Sequence, residues 1–252
     1  MRITNPYISA MFSSLLIILV WGVVVYLFQI PTYIFPTPFD VWERFTGNIF
    51  GYLSATAVTL GEAFIGLILA LIATTSLGFL FALSERIDKF VSPALVAMQS
   101  IPILAVAPLL TMWFGPGFAS KVVAAFLVCF FPLAAGWSSG IHAVEREERD
   151  FFRSMGANRF QTARWLIAPR ALPYFFAGFR VSAPLSILGA IVGEFVGAKE
   201  GLGFLILTHS YYARTADIFV CIIIVATCGA LLHHAVKVVE SNTLFWHGRK
   251  QD

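Results

Sequence analysis

The apolar residues of this chain are gathered into runs of about twenty, the length a helix needs to cross the hydrocarbon of a bilayer. Six such runs can be drawn, at 10–28, 58–83, 91–114, 122–141, about 174–196 and 218–239. The fifth is the least clean, because Arg180 and Glu194 lie inside it. Of the 252 residues 58% are hydrophobic and only 12% charged, with a mean hydropathy of +0.81. A soluble domain usually carries about 25% charged residues. A water-soluble fold of this length could not hide so much apolar side chain. The expected fold class is all-α, a polytopic membrane protein with six transmembrane helices. The first run is too long for the apolar core of a signal peptide, and QIPTYIF follows it without a small-x-small cleavage pattern, so a retained helix is expected.

Six spans put both termini on one side. If that side is the cytoplasm, the inner segments hold thirteen Lys and Arg residues: Arg2, Arg86, Lys89, Arg146, Arg149, Arg153, Arg159, Arg164, Arg170, Arg180, Lys237, Arg249 and Lys250. The outer segments hold four: Arg44, Lys121, Lys199 and Arg214. The positive-inside rule then places both termini in the cytoplasm. The net charge of +3 is too small to point to nucleic acid, and the bilayer is the expected environment. Cys129, Cys221 and Cys228 all fall inside apolar runs, without CxxC or metal spacing, and read as small buried hydrophobes.

One island interrupts the apolar pattern, ERDFFRSMGANRFQTARWLIAPRALP at 148–173. Its side of the membrane follows from its five arginines. Its shape follows from punctuation. Phe151, Phe152 and Met155 share a helical face, while Arg149, Asp150, Arg153 and Ser154 point elsewhere. Gly156 is placed to end that helix in the left-handed conformation. Asn158 is a good N-cap, and Gln161 three residues on can return the hydrogen bond. A second helix is expected to run to about Ile167, with Pro169 stopping it and Pro173 in the first turn of the fifth span. An ordinary solvated loop is the other reading, but punctuation on both sides of the glycine favours a rigid knob suited to docking a soluble partner.

The island resembles the cytoplasmic signature of ATP-binding-cassette importer permeases, of the form EAA, three residues, Gly, about nine variable residues, I-x-L-P. Asp150-Phe151-Phe152 stands at the EAA position, Gly156 at the glycine, and Ile167-Ala168-Pro169 near the end. Asp replaces Glu, two Phe replace two Ala, and Ala168 stands where Leu is usual. IPILAVAPLLTMWFGPGFASK, ALPYFFAGFRVS, GEFVGAKEGLGFLI and FPTPFDVW look like further segments of that family. The resemblance covers nearly the whole chain and is nearest to the taurine, sulfonate, nitrate and bicarbonate branch, which includes importers of pyrimidine vitamin precursors and riboflavin. It implies a type I permease fold forming one domain over 1–252, with core helices at about 58–239 and a coupling segment at 145–173. It implies a permease dimer, usually of two like copies. Two cytoplasmic ATPases would carry ATP and Mg, with no cofactor on this chain, and an extracytoplasmic binding protein would deliver solute. The contact with the ATPase is then expected at Asp150, Phe151, Phe152, Arg153, Met155, Gly156, Ala157 and Pro169.

This chain has no phosphate-cradling loop of its own. GPGFASKV at 115–122 lacks the second glycine and the hydroxyl residue, and reads as a turn. Within the spans, Gln99, Ser100 and Pro102 form a polar, kink-prone patch and Pro108 is expected to add a second break; such breaks are tolerated where backbone lines a cavity or packs on neighbours. Glu194 is either a pathway or gate residue or a structural hydrogen-bond partner. Glu62 reads as structural, and Arg180 as reaching the inner interface. Thr37, Pro38 and Asp40 can start a short helix whose Phe39, Trp42 and Phe45 lie either on the outer interface or against the bundle. Adjacent His233 and His234 face different sides of a helix and make a poor metal pair. His209, Tyr211 and Tyr212 read as interface anchors or as contacts for a binding protein. A secondary transporter, or an intramembrane enzyme, are the alternatives. The first leaves the island without a purpose, and the second needs paired acids or a His/Glu constellation that the runs do not supply.

Overall fold

The computed structural model describes residues 6–244; Arg2, Arg249 and Lys250 and the termini assigned with them lie outside the described residues. Within them are helices and their connections, with no strand. Helix α1 (Pro6–Leu27) covers the first expected span and exposes Leu15, Ile17, Leu19 and Leu27. Trp21 ties it down, donating Nε1–H to the Pro36 carbonyl at 3.0 Å. Helix α2 (Pro38–Gly47) begins as its sequence dictates: the Thr37 hydroxyl accepts from Asp40 N at 3.1 Å, and Asp40 Oδ2 accepts from Thr37 N at 2.9 Å. Val41 is buried and Phe45 stacks on Tyr52, while Phe39 and Trp42 stay exposed. One face of this helix therefore packs against the bundle, and the other, with Phe39 and Trp42, is left uncovered.

Helix α3 (Ile49–Leu83) starts at 49 rather than 58, and among the described residues it is one of four helices long and apolar enough to cross a membrane. The third expected span is not one helix. It is α4 (Glu85–Met98) followed by α5 (Ile103–Phe114), broken at 99–102. Pro102 causes the break: it has no N–H for the Met98 carbonyl, and it disfavours helical backbone at Ile101. Pro108 makes no second break and sits inside α5. Helices α6 (Phe118–His142), Arg159–Glu194 and α11 (Thr215–Thr243) are the other three.

The island forms α7 (Arg146–Ser154) and α8 (Arg159–Thr162). Pro169 does not stop the second helix. A π-helical turn at Ala163–Ile167 carries α8 directly into α9 (Ala168–Glu194), with Ala168 N donating to Ala163 O across five residues. Pro173 accordingly lies inside α9 and not in the first turn of a separate span. The wider turn removes the clash that the Pro169 ring would make with the Trp165 carbonyl in a regular helix. Helix α10 (Leu202–Tyr211) precedes α11.

Helices α6 and α9 run antiparallel in contact along their lengths. A Cβ on Gly193 would meet Lys121 Cα at 2.9 Å at one end, and a Cβ on Gly140 would meet Ala171 Cα at 2.5 Å at the other. Midway, Ser182 Oγ donates to the Cys129 carbonyl at 3.0 Å and Cys129 Sγ donates to the Ser182 carbonyl at 3.3 Å. Small residues and interhelical hydrogen bonds are what hold helices together in lipid, where there is no hydrophobic drive between them. Helix α3 packs beside this pair, with Gly66 over Ala125. Replacing Gly140 by Ala is expected to destabilise the protein by about 1–3 kcal/mol, the usual cost of overpacking. At Gly61 a Cβ meets nothing within 4 Å, so Gly61→Ala is expected to be neutral or mildly stabilising. Thermal melting of the purified variants checks both.

Candidate functional site

The island builds a knob with two faces. Helix α7 closes through Gly156, at φ +80°, with Gly156 N donating to Arg153 O at 2.9 Å and Ala157 N to Phe152 O at 3.1 Å. These two bonds satisfy two of the carbonyls that the end of the helix leaves without an intrahelical partner. A Cβ on Gly156 would meet no atom within 4 Å, so only backbone conformation demands glycine there. Asn158 and Gln161 then cap α8 reciprocally at 2.8 Å each way.

Four contacts fix the knob to the bundle. Phe152 packs against Phe81, Ile141, Val144, Leu166 and Ile167. Phe160 meets Phe79 edge-on at 5.6 Å. Arg149 Nη2 donates to the Ile141 carbonyl at 2.7 Å. Arg170 also donates to Glu148, whose carboxyl this hydrogen bond holds below its usual range. Outward, Phe151 and Met155 are exposed at 62% and 59%, which leaves an apolar patch for another surface to cover. Asp150 and Arg153 pair with each other at 3.2 Å in the open, a contact worth little in water. Pro169 lies behind the knob, inside the long helix.

At the opposite end of the bundle, Glu194 is 1% exposed. Its Oε1 accepts from the Thr59 hydroxyl at 2.6 Å, and its Oε2 accepts from Gly203 N at 2.5 Å and Phe204 N at 3.3 Å. Thr59 Oγ1 accepts from Leu202 N at 2.8 Å. The first three N–H groups of α10, which have no partner inside their own helix, are thus met by Glu194 and Thr59. An anion at a helix N-terminus is also favoured by the helix dipole. The approach requires Gly201, at φ +106°, where a Cβ would overlap the Glu194 carboxylate. Glu62, 4% exposed, and Lys121, 2% exposed, complete this cluster, with Lys121 donating to the Pro116 carbonyl.

The remaining pathway candidates do not join Glu194. Gln99, Ser100 and Pro102 are exposed at the α4–α5 break, and Gln99 borders a cavity of about 130 Å³. Glu194 borders another, of about 370 Å³, beside Tyr211 and Tyr212. Arg180 does not stand alone, pairing with Glu240 at 3.2 Å.

A family described as binding-protein-dependent transport system inner membrane component matches residues 66–243. This chain belongs to that family. It is a permease subunit of an ABC importer, a transport protein that works with ATPase and binding-protein partners. The permease is 32% identical to the formylaminopyrimidine transport permease protein ThiX of Halalkalibacterium halodurans, over 94% of each chain. It is 35% identical to the riboflavin transport system permease protein RibX of Chloroflexus aurantiacus, over 97% of this chain and 92% of that one. The taurine transport system permease protein TauC of Escherichia coli is 27% identical, over 92% and 87%. A solved structure of the MetNI methionine ABC transporter in inward-facing conformations shares the fold, with a TM-score of 0.61 and 19% identity over 77% of this chain and 94% of that one.

Sequence reading of the permease missed three tertiary partnerships. Thr59 meets Glu194 across 135 positions. Tyr52 donates to Asp217 at 2.7 Å, joining α3 to α11. Asp88 joins α4 to α6 through His142 at 3.0 Å and Ser138 at 3.1 Å. The i, i+4 spacing of Asp88 with Ser92, and of Ser138 with His142, was the only local signal. Glu194→Leu is expected to strand Gly203 N–H and Phe204 N–H, at about 1–3 kcal/mol for each buried group left unpaired, while the Thr59 hydroxyl can still donate to the Ala55 carbonyl at 3.2 Å. Glu194→Gln keeps one acceptor oxygen for α10 and is expected to retain most of the stability. Melting temperatures of the two variants in detergent separate these outcomes.

Proposed function

We propose that residues 145–173 of this permease are its docking element for a cytoplasmic ATPase, and that a dimer of this chain engages two such ATPases. The exposed Phe151–Met155 patch, set on a knob fixed to the bundle, carries this reading. Asp150 and Arg153 rim the patch, while Gly156, Ala157 and Pro169 shape its support. ATP and Mg belong to the partner, with no cofactor on this chain. Both termini and the knob then lie in the cytoplasm, in keeping with the distribution of Lys and Arg. Solute delivered by the binding protein at the opposite end passes beside Gln99, Ser100 and Pro102, with α10 held at that end by Glu194. For the solute we propose a small nitrogen heterocycle. ThiX and RibX, whose names give such compounds, share more identity with this chain than TauC does.

Two experiments test this. Phe151→Ser with Met155→Ser is expected to abolish co-purification with the ATPase while the protein still inserts, since neither side chain is buried; survival of the complex would end the docking assignment. Gly156→Val forces a β-branched residue into left-handed backbone at roughly 1–2 kcal/mol and is expected to lower ATP-dependent uptake of formylaminopyrimidine or riboflavin. Gly156→Asn, which tolerates that conformation, is expected to keep most of it.

A further inference from the structure

Beside the hydrogen bonds that hold α10 stands a buried acid that takes no part in them. Glu62 is 4% exposed, and among the described residues its Oε2 has no hydrogen-bond partner although it is shut off from solvent. It follows Thr59 by three positions on α3, so both side chains leave the same face of that helix. Thr59 donates to Glu194, and the Glu62 carboxyl is itself in hydrogen-bonding contact with that of Glu194. From α6, buried Lys121 faces both acids. Exposed Glu200, in the turn before α10, and the buried Cys221 thiol of α11 are the other titratable groups within reach of the pair. From α10 come the backbone N–H groups of Gly203 and Phe204.

We infer that Glu62 and Glu194 hold one proton between them and that this proton latches α10 to the bundle. Ionised carboxylates only accept, so their contact contains no hydrogen bond until one of them carries a hydrogen. Buried like charges side by side cannot both stay ionised. Charge balance gives the same count. Lys121 offsets one carboxylate and no more, and a buried cluster left with net charge is costly. The proton belongs on Glu62. Glu194 already accepts from Thr59, Gly203 and Phe204, which favours its charged form, whereas Glu62 Oε2 accepts from no group. Protonated Glu62 donates to Glu194, so α3, α9 and α10 are tied together through one carboxylate. Loss of the proton leaves two carboxylates in contact behind the first turn of α10, and water must enter to separate them. The end of the bundle opposite the knob thus carries a pH-sensitive latch, on the helix whose Tyr211 and Tyr212 border the cavity of about 370 Å³. The latch depends neither on the docking element nor on the orientation of the chain.

Where the closed state holds a proton that the opened chain releases, opening becomes easier as pH rises. The full chain in a neutral detergent tests this, by hydrogen exchange at the Gly203 and Phe204 amides and by melting. Corrected for the chemical exchange rate, opening at these amides is expected to increase by up to about tenfold per pH unit between about pH 6 and 9, the effect of one proton. The melting temperature is expected to fall over the same range. Glu62→Gln offers Glu194 an amide N–H at every pH and is expected to flatten the pH dependence at both amides. Glu194→Gln turns an amide N–H toward Glu62 and is expected to do the same; it serves in place of the first variant should that one fail to fold. An equal pH dependence in the wild type and the Gln variants overturns the shared proton. So does a wild type whose α10 amides open independently of pH, which assigns the unpartnered oxygen to a buried water.

Discussion

The antiparallel contact between α6 and α9 is the constraint on which the other features depend. In lipid two apolar helices gain nothing from hiding oily surface against each other, so close approach and hydrogen bonding must supply the attraction. Here glycines bring the backbones together at both ends, and Ser182 and Cys129 exchange hydrogen bonds between them. The same pair positions both candidate sites. The knob hangs between the end of α6 and the start of the helix that becomes α9. The Glu194 cluster sits where α9 ends, beside Lys121 near the start of α6. A displacement at the knob therefore reaches the opposite end through a close-packed element, since packed interiors transmit strain and do not absorb it.

Glu194 illustrates how a costly residue becomes a structural asset. A carboxylate removed from water needs several partners, and α10 needs acceptors for its first N–H groups. Each requirement answers the other, and glycines at 201 and 203 leave the space for them to meet. The two roles weighed for Glu194 from sequence, gate or structural partner, are also not opposites. Its bonds are internal, yet they hold the helix whose Tyr211 and Tyr212 border the neighbouring cavity.

The sequence was most legible where the determining interaction spans three or four residues. The Thr37 and Asn158 caps and the left-handed Gly156 follow from local backbone needs, and all three are present. The apolar runs were legible as helices for a similar reason, since length and composition alone decide that. Proline was read less well. Pro102 breaks its helix, Pro108 does not, and Pro169 is absorbed by a π turn. The missing hydrogen bond is local, but whether the chain widens, bends or stops is settled by what packs around it. Partners 50 to 165 positions apart, such as Asp88 with Ser138 and Tyr52 with Asp217, left no trace a single sequence could show.

The π turn has a mechanical consequence. Had Pro169 ended the second island helix, the knob would join its span through a flexible connection, and a push on Phe151 and Met155 would be spent bending it. Instead the helix runs unbroken over Arg159–Glu194. Helix α7 is joined to it by Phe152 in the shared apolar cluster and by the Glu148–Arg170 pair. Under the proposed docking, a partner that moves the exposed face of α7 therefore tilts a continuous rod whose other end is Glu194. The wide turn sits at the base of that rod, where a helix is easiest to distort. Rigidity along α9, with compliance confined to one turn beside the knob, is what the proposed transmission from an ATPase to the opposite end of the bundle would require.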